Sequence, residues 1–162
     1  METKIKLKKS DVIKIKIEDE NGNDTGNYLE FDLQDVSLPL RYQQANDEHV
    51  KNLNYLKMSF SLIDKKPNHE GKKLLSSNEE EKFKVLNEFF NREMKIIDMM
   101  LGKDASKKLL NGRNPYYEMF DDFMGYLEPL SDVFEKSYEG IKERLVNKYK
   151  VIEDSNVLKE DE

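Results

Sequence analysis

The run SSNEEEKFKVLNEFFNREMKIIDMMLG, residues 76–102, decides the fold. Within it Phe83, Leu86, Phe90, Met94, Ile97 and Leu101 recur at spacings of three and four, the period of one helix face. Val85, Phe89, Ile96 and Met100 form a second stripe on nearly the opposite side. A helix apolar on two faces is either sandwiched between other helices or turns one face to a partner. The second arrangement makes Val85, Phe89, Ile96, Met99 and Met100 the candidate partner-binding residues. Methionine suits such a surface because its flexible thioether adapts to irregular shapes. Ser77-Asn78-Glu79-Glu80 reads as a capping box with Ser77 as the cap that precedes the helix, and Gly102 as its left-handed cap at the other end.

Upstream, Pro39 can open a helix, because its fixed φ suits the first turn. Tyr42, Ala45, His49, Leu53, Leu56, Phe60 and Ile63 then share one face, and the pattern stops before Pro67. Residues 68–73 read as a mobile polar loop. Downstream, Asp104 caps a short helix over residues 105–110 that Asn111-Gly112 closes. Asn114-Pro115 is a further start signal. From Tyr116 an apolar stripe through Phe120, Phe123, Leu127, Phe134, Tyr138, Ile141 and Leu145 crosses Pro129 without losing register. An interior proline costs about 3 kcal/mol, but the residue it crowds is Gly125, so one long kinked helix is expected. Residues 151–162 are acidic and patternless, and disorder is expected there.

At the N-terminus Ile5 and Leu7 begin an apolar–polar alternation that Ile13, Ile15 and Ile17 continue. A turn-rich segment, residues 18–27, leads to a strand over residues 28–33 with Leu29, Phe31 and Leu33 alternating. A ribbon of two or three strands is marginal alone and needs helices or another chain against it. Its unpaired edge, carrying Ile13, Ile15, Ile17, Leu29 and Phe31, is the candidate self-association edge. The fold class expected is α+β: an N-terminal antiparallel ribbon (1–36) packed on a mainly helical bundle (37–150), then the tail (151–162).

Charged and hydrophobic residues each make up 37% of the 162, and no apolar run is long enough to span a membrane. The N-terminus has lysines but no apolar core segment, so it does not read as a signal peptide. There is no cysteine, which excludes disulfides and cysteine-based metal or redox centres and fits a cytoplasmic setting. Residues 1–17 carry six lysines against Glu2 and Asp11, on a chain of net charge −6. These lysines alternate with apolar residues, as on the wet face of a strand, and the acidic body repels phosphates, so no nucleic acid is expected.

Candidate catalytic groups are sparse. His49 falls on a buried stripe with no nucleophile motif beside it and reads as a packed core histidine. His69 lies in a loop beside Glu70, and the two histidines do not have metal-ligand spacing. Asp121 and Asp122 are adjacent and diverge on a helix, while Glu30 and Asp32 share a strand face as solubilising groups. The seven glycines form no phosphate-cradling loop. No catalytic, cofactor or metal residue is assigned, and no enzyme is expected.

Three segments, YLEFDLQDVSLPLRY (28–42), GKKLLSSNEEEKFKVLNEFF (71–90) and LGKDASKKLLNGRNPYYEMFDDFMGYLEPL (101–130), resemble the tail assembly chaperones. These small proteins are encoded in the tail modules of long-tailed phages and prophages of low-GC Gram-positive bacteria. The likeness covers residues 29–150. It implies a non-enzymatic protein in the host cytoplasm that coats the tape measure protein and releases it as tail tube subunits polymerise. Several copies would cover one client, none would remain in the mature virion, and a longer frameshifted product accompanies such proteins in many phages. The alternatives are a structural virion component or a prophage-encoded regulator of a host protein.

Overall fold

A computed structural model of the chain describes residues 2–7, 9, 11–116 and 118–160, and their side chains except those of 120–129, 149 and 151–160. Two strands, β1 (Val12–Glu18) and β2 (Asp24–Asp32), form an antiparallel hairpin. Four helices follow among the described residues: α1 (Leu38–Asp64), α2 (Ser77–Leu101), α3 (Ala105–Leu110) and α4 (Met119–Glu160). The protein is therefore α+β, as its periodicities predict. Ile5 and Leu7 belong to no strand and stand 87% exposed, so alternation alone did not make a third strand there.

The hairpin turn is shorter than the sequence suggests, because Asp19 organises it. Its carboxylate accepts the amides of Asn21 (2.9 Å) and Asn23 (2.8 Å), and its own amide donates to the Asn23 carbonyl. Asp24 to Asn27 are thereby drawn into β2 instead of the loop. Thr25 Oγ1 donates to the Ile17 carbonyl at 2.7 Å across the ladder. The alternation holds: Ile13, Ile15 and Ile17 are half-buried, Leu29 and Phe31 buried, and Lys14 and Lys16 exposed.

Two compact units interleave along the chain. One comprises Met1–Ile13, Phe31–Pro39 and Glu118–Glu162; the other comprises Lys14–Glu30 and Leu40–Tyr117. In the first, the Phe31 and Phe134 rings meet edge to face at 5.5 Å, and Ser137 Oγ donates to the Leu33 carbonyl at 2.9 Å. Helix α4 begins at Met119, not at Pro115, and runs unbroken through Pro129 to Glu160. Residues 151–160 are thus helical and not disordered, while Asp161 and Glu162 lie outside the described residues. The side chains of Phe120, Asp121, Asp122, Phe123 and Leu127, singled out in the sequence, lie outside them too.

The second unit is built on α1 and α2. Side-chain bonds join His49 to Glu93, Asn52 to Phe89, Tyr55 to Glu88 and Asn78 to Ile63, so the helices run antiparallel. Helix α2 starts one residue earlier than its capping box was placed. Ser76 is the cap: its hydroxyl accepts the Glu79 amide and the Glu79 carboxylate accepts the Ser76 amide at 2.7 Å. Ser77 has other work, its hydroxyl accepting the His69 amide at 2.9 Å and its amide donating to the His69 carbonyl. Asn68 Oδ1 takes the Asn78 amide, so this end of the connection is pinned to α2.

Gly102 ends α2 at φ 108° and ψ 170°, a positive-φ conformation but not the left-handed helical one. Asp104 holds a left-handed backbone and gives no side-chain cap to α3. That service comes from α2 instead, where Asp98 Oδ1 accepts the Ser106 amide at 2.8 Å. Asn111, left-handed at φ 49°, closes α3 as its sequence predicts. No helix among the described residues is long and apolar enough to cross a membrane.

Candidate functional site

The buried face of α2 comprises Phe89, Glu93, Ile97, Met100 and Leu101. At 100° per residue these fall within an arc of about 120°, lying between the two apolar stripes and taking one shoulder of each. The helix therefore has one broad buried face. Phe89 and Met100, both assigned to a partner from the sequence, are 4% exposed and covered by the chain itself. Val85 and Ile96 are half-buried, and Met99 is 39% exposed. Phe83, on the stripe expected to be core, is 57% exposed. Leu29 and Phe31, assigned to the self-association edge, are also covered within the chain at 4% and 3% exposure, with Ile13, Ile15 and Ile17 half-buried.

A polar network sits in the middle of that face. Glu93 is 2% exposed and Asn52, opposite it on α1, is 4% exposed. Asn52 Nδ2 donates to Glu93 Oε1 at 2.7 Å and to the Phe89 carbonyl at 3.1 Å. His49 Nδ1 lies 3.0 and 3.1 Å from the two Glu93 oxygens. A carboxylate only accepts, so Nδ1 carries the hydrogen and donates. Both Asn52 amide hydrogens being committed, its Oδ1 faces the other way and is buried without a hydrogen-bond partner. An unsatisfied buried acceptor costs about 1–3 kcal/mol.

Beside this network α1 and α2 enclose an open cavity of about 300 Å³, lined by Glu48, Lys51 and Asn52 and by Arg92, Lys95, Ile96 and Met99. Lys51 is bonded to Glu48 at 2.8 Å, which raises its pKa. Arg92 reaches Glu88 at 2.6 Å and lies over the Tyr55 ring at 4.3 Å. Lys95 makes no ion pair among the described residues. On an acidic chain, this groove is locally cationic around an apolar strip.

Searches of protein-family models, curated proteins and solved structures found no match.

Ile96 and Met99 are the two members of the sequence-assigned partner set that the structure brings to a concave surface. The cations beside them, and the Asn52–Glu93 pair beneath, were not singled out from the sequence. The signal was present for Asn52: it lies three residues after His49, one turn along the same helix face. His49, expected to be a packed and hydrogen-bonded histidine, is held by Glu93. His69 is exposed and supplies only backbone contacts to Ser77. Among the described residues no group of three or more histidine, aspartate and glutamate side chains is placed to hold a metal.

Proposed function

We propose that this protein is a non-enzymatic assembly chaperone of the phage tail type, which binds the tape measure protein in the host cytoplasm during tail morphogenesis. It acts in several copies and is absent from the finished virion. The likeness of residues 29–150 to that family supplies the client. One physical observation carries the reading: large apolar side chains stand in the open on α1 and α2, with Phe83 57%, Met58 66% and Leu62 59% exposed.

Met58 and Leu62 are one turn apart on α1, and the ion pair between Lys82 and Asp64 puts Phe83 near the same level of the helix pair. Exposed apolar groups divided by charge are what a holdase needs, since the charges keep it soluble between engagements. Lys65, Lys66 and Glu81 supply that charge at this level, with Lys66 paired to Glu81 at 2.8 Å. Among the described residues the two-stranded sheet leaves one edge of each strand without a strand partner, which is a means of joining copies.

The test is co-expression with a tape measure protein from the same genome. A chaperone keeps the client soluble and elutes with it, and purified virions lack it. Its presence in many copies in virions would assign it to the tail structure instead. A client equally soluble without it would remove the chaperone reading.

A further inference from the structure

We infer that the groove lined by Lys51, Arg92, Lys95, Ile96 and Met99 binds an acidic–apolar peptide segment of the client, an inference that rests on the chaperone reading above. One apolar side chain of the segment lies on Ile96 and Met99, and a neighbouring carboxylate is taken by Lys95.

The first argument is charge complementarity. The chain carries net charge −6, yet three of the seven groove residues are cations and only Glu48 is acidic. Glu48 is engaged by Lys51 and Glu88 by Arg92, which leaves the exposed Lys95 without a counter-charge among the described residues. The second is the arrangement of the lining. Arg92, Lys95, Ile96 and Met99 occupy one face of α2 at spacings of three, one and three, so two cations are followed by two apolar groups along a single ridge. A free anion would make no use of Ile96 and Met99, and a purely apolar molecule would make none of the cations. An amphipathic peptide uses both.

The third concerns size. A cavity of about 300 Å³ that is open on one side admits a side chain or two and not a folded element.

The experiment titrates overlapping peptides of the tape measure protein into the isotope-labelled full-length chain. Binding peptides are expected to carry an acidic residue next to an apolar one and to shift the resonances of residues 48–52 and 92–99. Lys95→Glu, at an exposed position with no ion pair to lose, is expected to weaken them about tenfold or more with an unchanged melting temperature. The same peptides with lysine in place of their acidic residues should recover binding to that variant. Met99→Glu, which sets a like charge beside the segment, should weaken the original peptides as well. Peptides that bind with shifts elsewhere, or indifferently to Lys95→Glu, overturn the groove and leave the chaperone reading standing. If no peptide binds and the client is not solubilised on co-expression, the chaperone reading falls and the groove inference with it.

Discussion

Asn52 on α1 and Glu93 on α2 meet at 2.7 Å, with their side chains almost fully withdrawn from water. This bond fixes the pairing of the two longest fully described helices. A burial so complete for a carboxylate is tolerable only because Asn52 and His49 both turn hydrogens toward it. Hydrophobic contact alone sets no unique register between two helices. A polar group that finds its partner at only one alignment does.

The first prediction follows from that network. Glu93→Ala removes the acceptor of the Asn52 amide and the His49 ring hydrogen, and should lower unfolding free energy by about 1–3 kcal/mol for each donor left unsatisfied. A double-mutant cycle with His49→Ala should give a coupling of about 0.5–3 kcal/mol. Urea denaturation of the four proteins measures both. Strict additivity would mean that the two side chains do not interact in solution.

Helix α2 separates its residues in a way that can be tested directly. Phe89→Ala removes a ring that is 4% exposed and should cost about 3–5 kcal/mol. Phe83→Ala, at 57% exposure, should stay within about 0.5 kcal/mol. Lysine at both Phe89 and Met100 should unfold the chain or nearly so, because two charges would be forced into its interior. Thermal melts of the three variants give the order. A Phe83 variant that loses both stability and client binding would place that ring in the core.

The sequence of α2 was legible as a helix but not as to its buried side, and the reason is Glu93. It occupies the middle of the buried arc, so a reading that follows apolar residues splits the face into two stripes and leaves the centre out. The capping box slipped for a related reason. Ser76-Ser77-Asn78-Glu79-Glu80 holds two overlapping boxes of equal local merit, Ser76 with Glu79 and Ser77 with Glu80. The choice is made by His69, seven residues before Ser76, which engages Ser77. The alternating faces of β1 and β2, the helix-opening Pro39, the extent of α3 and the continuity through Pro129 needed only local information, and these were readable. The groove required the pairing of α1 with α2, which no spacing along one helix encodes.

The hairpin depends on one side chain. Asp19→Ala removes the acceptor of the Asn21 and Asn23 amides, and their exchange protection should disappear while that of the α2 amides is unchanged. The same Asn23 and Asn21 amides hold the Asp19 pKa below its ordinary value, so Asp19→Asn tests whether the charge or the shape matters. Retained protection in the asparagine variant would assign the turn to shape alone. Amide exchange read by NMR decides it.

The last prediction concerns acid. Glu79 has its pKa lowered, first by the Ser76 amide that it accepts and then by the Ser76 hydroxyl. A carboxylate whose folded value is depressed contributes stability above the ordinary glutamate value of 4.5 and loses it as pH falls through the folded value. Glu79→Gln keeps an acceptor at the Ser76 amide but cannot titrate. It should be less stable than the parent at neutral pH, with the gap closing as pH drops below 4.5. Ser76→Ala, which removes the other half of the box, should cost about 1 kcal/mol at neutral pH. Melting temperatures of the parent and both variants across the acid range give the comparison. A gap between parent and Glu79→Gln that is constant with pH would mean that the carboxylate is not held in its charged form by the start of α2.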